Sequence, residues 1–417
     1  MRTTTRRAIP LTAISLTAVF AILVAGCGDA ETGPEAEPSS TSSAAAPTAP
    51  TTSSSPAPVV EGIPSALDDR SHPDFPEPLV DPDRIFPGGP PPDGIPPIDA
   101  PSFVSVAEAD AYLLDAEPVV LLEIDGDARA YPVQVLVWHE IVNDVVGGVP
   151  VSVTYCPLCN SAVSYRREVA GEVTTFGTSG LLYQSALVMY DRATESLWTH
   201  FDGRAVVGAR AGVELEPIGS PLLAWADFKS SHPGGRVLDR DATGHNRAYG
   251  TNPYTGYDNP DGVPFLFRGG ADDRARAMQR VVGITMGDES VAISLDALVD
   301  QAGFAVLPLT VGGRDLIVLW AAGQASALEA SGIAEGRDIG SVGVFVAELD
   351  GEPISLEAGE AGFTDTSTGS TWTVTGAAVA GPAAGRQLER IPHLDTFWFA
   401  WSTYRSGTSL LESEPDV

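Results

Sequence analysis

Sulfur and lysine are scarce in this sequence. Its 417 residues include three cysteines, four methionines and one lysine, Lys229. Only Cys156 and Cys159 lie near each other, so a site of four cysteines is excluded, since two thiols fill half of a tetrahedral set. Basic charge is short as well: Lys and Arg number 24 against 55 acidic residues, a net charge of −31. A surface of that sign repels phosphate, which excludes nucleic acid as a partner and electrostatic adhesion to anionic lipid. Beyond Ala25 no apolar run is long enough to span a bilayer. Long helical patterns are lacking too, because 43 glycines and 34 prolines break the chain into short apolar runs. The expectation is a mainly β fold with a few short helices, of α+β class.

What is present begins with a leader. Arg2, Arg6 and Arg7 head an apolar stretch that ends in small residues before Cys27. That order describes a secretory signal peptide over residues 1–27, not a spanning helix. The cut would fall before Cys27, in a stretch that resembles a bacterial lipobox. The resemblance implies lipidation of Cys27 and anchoring at the outer face of the bacterial cell membrane. Residues 28–62 are mostly Ser, Thr, Ala, Pro and Glu and cannot bury enough surface to offset chain entropy, so they read as a tether. Residues 63–100, with PGGPPPDGIPP at 87–97, read as an extended proline-rich surface segment.

The remainder contains an internal repeat. Thr194, Ser196 and Trp198 match Thr368, Ser370 and Trp372. Gly203, Gly208, Gly212 and Leu215 match Gly376, Gly381, Gly385 and Leu388 after a one-residue slip. Upstream, Gly126 and Asp127 stand opposite Gly287 and Asp288, and VPVSVTY resembles RDLIVLW. Several matches in one order point to a duplication into two β-rich units, residues 101–270 and 275–410. Residues kept in both units serve the fold, and residues found in one are candidates for function. Cys156 and Cys159 fall opposite Ala321 and Gln324, while His139 and Glu140 fall near Gln301 and Ala302. The first unit therefore carries the chemistry and the second supports it.

YPVQVLVWHEIVNDVVGGVPVSVTYCPLCNSAVSY, FGTSGLLYQSALVMYDRATESLW and YGTNPYTGY resemble the bacterial domain-of-unknown-function family 3179. The resemblance implies an extracytoplasmic protein with a site at WHE and CPLC, and it implies no particular reaction.

The local pattern suggests what the cysteines do. Tyr131 and Pro132 open a short helix that carries His139 on its inward face. VPVSVTY at 149–155 alternates as a strand, and SAVSYRR at 161–167 reads as the strand leaving the turn, with 169–176 as its hairpin partner. A strand–CPLC–strand turn resembles a rubredoxin or zinc-ribbon knuckle, in which Asn160 takes a left-handed conformation. Cys156, Cys159 and His139 form the expected ligand set for copper or zinc, with Glu140, Met189 or His200 open for the last position. Glu140 is also the candidate acid or base. Haem attachment is excluded because Asn160, not histidine, follows Cys159, and no phosphate-binding loop for a nucleotide is present. Two other readings stay open: a thiol–disulfide oxidoreductase using the same pair, and a surface binding module in which the cysteines form a clip. The loop 232–260, rich in tyrosine, is read either as a wall of the site or as a stapled surface loop. No feature names a protein partner.

Overall fold

A computed structural model describes residues 60–412 apart from 271, 300–302 and 360–361. The signal peptide, Cys27 and nearly all of the tether lie outside the described residues. The structure is mainly β, with four short α-helices among many short strands. Among the described residues no helix is long and apolar enough to cross a membrane.

In the first half, a hairpin of Pro118–Ile124 and Asp127–Pro132 is turned by Asp125 and Gly126, both at positive φ. Leu222–Ala224 pairs antiparallel with its first strand, and Arg236–Leu238 pairs parallel with its second. The helix Val133–His139 leads to a second sheet of Ile141–Val146, Val149–Cys156, Ser161–Arg166 and Pro217–Ile218. A third sheet runs through Phe176–Tyr183, Ala186–Asp191, Leu197–Thr199 and Arg204–Val207. The expected hairpin partner of Ser161–Arg166 was wrong. Its outer neighbour is Pro217–Ile218, while residues 168–173 fold on themselves in a two-stranded ribbon. Gly171, at φ 82, makes that tight turn and takes the segment out of the sheet.

The second half follows the same order of pairings. The hairpin Arg280–Met286 with Glu289–Ser294 is flanked by His393–Phe397 antiparallel and by Ser409–Leu411 parallel. Phe304–Val311, Arg314–Ala321 and Ser341–Val346 form the next sheet, and four strands from Leu356 to Ala380 the last. In both halves the flanking antiparallel strand runs into a helix opening on tryptophan, Trp225–Ser231 and Trp398–Tyr404.

The repeated residues do repeated work. Thr194 Oγ1 meets the Asp191 carboxylate and Ser196 Oγ, and Thr368 Oγ1 meets Asp365 and Ser370 Oγ. A Cβ on Gly208 would come within 2.7 Å of Ser196 Cα, and one on Gly381 within 2.6 Å of Ser370 Cα. Both glycines sit at positive φ, so a side chain is barred twice over. One core crosses the halves, joining Cys156, Cys159, Met189 and Trp198 to Phe397, Trp398 and Trp401. The proline-rich segment is not loosely attached. Ile85 and Ile98 are buried, Phe86–Pro87 pairs with Phe176–Tyr183, and Ile98 bridges to Val142.

Candidate metal centre

Val149–Cys156 pairs on both sides, and its last rung joins Cys156 to Ser161. Between them Pro157, Leu158, Cys159 and Asn160 form a four-residue turn, with Asn160 at φ 51 donating its N–H to Pro157 O at 3.3 Å. Asparagine is among the few side chains that tolerate that conformation.

The second half clamps this turn. Thr396 Oγ1 donates to Cys159 O at 2.8 Å, the Phe397 N–H reaches the same carbonyl at 3.2 Å, and Ser161 Oγ meets Thr396 Oγ1 at 2.8 Å. Asn160 is fixed from three directions: it donates to Asp395 at 3.2 Å and accepts from Tyr155 OH at 2.9 Å and Arg280 at 3.3 Å. Arg280 is buried between Asp258, at 2.7 Å, and Asp395, at 2.9 Å. Burial opposes its charge, and the two carboxylates outweigh burial. From the long loop, Tyr257 OH donates to Leu158 O at 3.0 Å.

Cys156, Cys159 and His200 come together. Their ligand atoms all lie within 4.8 Å of one another, and all three residues are buried. His200 follows the strand Leu197–Thr199, and its N–H donates to Leu187 O at 3.1 Å. Its ring is fully buried, yet neither Nδ1 nor Nε2 has a hydrogen-bond partner among the described residues. Burial pushes the imidazole down to about 3, so it is neutral and carries a free lone pair. The thiols are shifted in opposite directions. Burial opposes ionisation of Cys156, but hydrogen bonds from the Cys159 thiol and from the N–H groups of Leu187, Cys159 and Leu158 lower it. Burial and the neighbouring Cys156 raise Cys159 well above the ordinary thiol range.

His139 is not in this group. It ends its helix with Nδ1 at 2.7 Å from Pro96 O and Nε2 at 2.7 Å from Tyr249 OH, so both ring nitrogens are engaged. The third residue expected beside the thiols thus lies apart from them, and His200, an option for the last position only, stands in the group that could hold an ion. Helix periodicity put His139 inward correctly, but the proline-rich segment and the long loop meet it there. Glu140 lies on the Cys156 side, in a cavity that both residues line. Burial and then the charge of Cys156 raise its carboxyl well above the ordinary range. Met189 is fully buried in the shared core and pairs with Trp198 across the sheet.

The second half shows what this space holds without the chemistry. Cys156 ends its strand where Ala321 ends the corresponding one. Counting from the matched tryptophans and aspartates, His200 corresponds to Val374 and Met189 to Phe363. Ala321, Phe363 and Val374 all sit in one apolar cluster with Trp372. Where one half packs alanine, phenylalanine and valine, the other packs cysteine, methionine and histidine. Sequence reasoning held the clue to His200, since only one half has a histidine there. It missed the Arg280, Asp258 and Asp395 cluster, whose members lie far apart in the chain and follow no local pattern.

The model of a family described as a protein of unknown function (DUF3179) matches residues 92–408. No curated protein and no solved structure matches the chain.

Proposed function

The chain belongs to the DUF3179 family, and for it we propose a buried soft-metal site, for copper or zinc, held by Cys156, Cys159 and His200. The observation that carries the reading is the His200 ring: two buried nitrogens without partners, beside two thiols. Buried polar groups are nearly always satisfied, and one that is not calls for a further partner such as an ion. Two thiolates and an imidazole form a donor set that suits Cu(I) and Zn(II). Met189, standing where Phe363 packs against Ala321 and Val374, is the candidate for the fourth position; a thioether there favours copper. The duplication supplies a second unit without ligands, whose Thr396, Asp395 and Arg280 position the cysteine turn. X-ray absorption at the metal edge tests the ligand set. Two thiolate sulfurs at about 2.3 Å and one imidazole nitrogen are expected in the wild type, with no bound metal to scatter in His200→Val. A shell of oxygen alone would sink the reading.

The opposite shifts of the two thiols support a second function, a redox couple with Cys156 as the attacking thiolate. It predicts reversible disulfide formation in protein that holds no metal. In either case we place the protein outside the cytoplasm, tethered by residues 28–62 to a lipid on Cys27. Mass spectrometry of the mature N-terminus would find a diacylglyceryl cysteine, and an intact leader there would refute the placement.

A further inference from the structure

Glu140 joins the helix Val133–His139 to the strand Ile141–Val146 at φ 58 and ψ −31. Its N–H donates to Leu136 O at 2.7 Å and its carbonyl accepts from Tyr155 N at 2.8 Å. A non-glycine residue in that region is strained, and such strain persists where the surroundings over-determine it, often at functional sites. The side chain gains no hydrogen bond in return. Though only 6% exposed, the Glu140 carboxyl has no hydrogen-bond partner among the described residues.

It faces a cavity of about 230 Å³ that reaches Cys156. Pro90 and Ile95 of the proline-rich segment, Leu181 and Leu187 of the 176–191 hairpin, and Phe265, just beyond the long loop, wall it with apolar surface. Phe265 is 45% exposed, which makes it the rim. Tyr254 lines the same space, and its hydroxyl also lacks a partner among the described residues. No basic side chain lines the cavity, so nothing there would hold an anion. An apolar cavity of about 150 Å³ accommodates benzene, so this one has room for a ring with a substituent.

We infer that this cavity is the binding chamber for a small molecule that carries no negative charge, an apolar body with one hydrogen-bonding group placed between Glu140 and Tyr254. The chamber stands on its own walls. That its occupant meets a metal through Cys156 rests on the function proposed above. The residues that the long loop and the proline-rich segment bring to the chamber then act as specificity elements for that occupant.

Acetophenone, an apolar ring with one carbonyl, is the probe, with benzoate as its anionic counterpart. Binding is measured by calorimetry and ligand-observed NMR on the folded protein, with copper or zinc bound and after chelation. Acetophenone should bind with a Kd of about 0.1–1 mM, and at least tenfold more tightly than benzoate. Tyr254→Phe should weaken it by about threefold to tenfold, and Leu181→Trp, which fills the space from a half-buried position, should abolish binding. No binding, equal binding of benzoate, or binding unaffected by Leu181→Trp would overturn the inference. Acetophenone bound as expected to a protein that takes up no metal would leave the chamber standing and remove the metal. Metal uptake without acetophenone binding would do the reverse.

Discussion

Replacing His200 with valine should make the metal-free protein more stable. A neutral imidazole carries one donor and one acceptor, and in His200 both are buried without partners. Each unsatisfied group costs about 1–3 kcal/mol. Valine removes both, and Val374 occupies the corresponding place in the second half, packed in an apolar cluster. The lost volume leaves a small void that costs up to about 1 kcal/mol. The balance is a gain of about 1–6 kcal/mol for His200→Val, read as a rise in denaturant midpoint with chelator present. Added copper or zinc should raise the wild-type midpoint further, since a ligand of the native state stabilises by mass action, and should leave the variant unmoved. A metal-free variant less stable than wild type by more than about 1 kcal/mol would refute the reasoning, because it would mean that the ring nitrogens are already paired.

Three further outcomes follow from the structure. Arg280→Met leaves Asp258 and Asp395 without their shared cation and should cost about 3–5 kcal/mol, with metal affinity falling alongside as the Cys159–Asn160 turn loosens; unchanged affinity in a folded variant would remove Arg280 from the positioning role. The two repeat tryptophans should respond differently to phenylalanine. Trp198 Nε1 donates to Asp191 at 2.9 Å while Trp372 Nε1 is buried without a partner, so Trp198→Phe should cost about 1–3 kcal/mol more than Trp372→Phe in thermal or chemical unfolding. Burial drives His393 from 6.5 down to about 4. The unfolded chain therefore binds the extra proton between those values, and stability, complete above about pH 7, should fall as pH drops through that window by up to about 1.4 kcal/mol per unit. Unfolding of His393→Gln followed against pH should show a shallower slope, and an unchanged slope would place the acid sensitivity elsewhere.

Much of this arrangement was legible in the chain. The short strands, the helix after Tyr131 and the turn through Asn160 all follow from alternation, proline placement and left-handed tolerance, which are local properties. The matched threonines, serines and glycines were legible because they perform a steric and hydrogen-bonding job that admits few substitutes. What was not legible is tertiary. In sequence His139, nearer to Cys156, is the favoured ligand and His200 only an option for the last position. The sheet decides between them, since Ala186–Asp191 carries Leu187 to both the Cys156 thiol and the His200 backbone. The clamp from Arg280, Asp395 and Thr396 arises only when the second half packs against the first. The proline-rich segment reads as surface, yet it supplies Pro96 O to His139 and two walls of the cavity.

The central claim is that Cys156, Cys159 and His200 hold a metal. The direct measurement is copper and zinc per chain after purification without chelator, for wild type, Cys156→Ser/Cys159→Ser, His200→Val and His139→Ala. About one equivalent is predicted in wild type and His139→Ala, with none in the other two. Wild type without metal, or metal retained by His200→Val and lost from His139→Ala, would contradict the account.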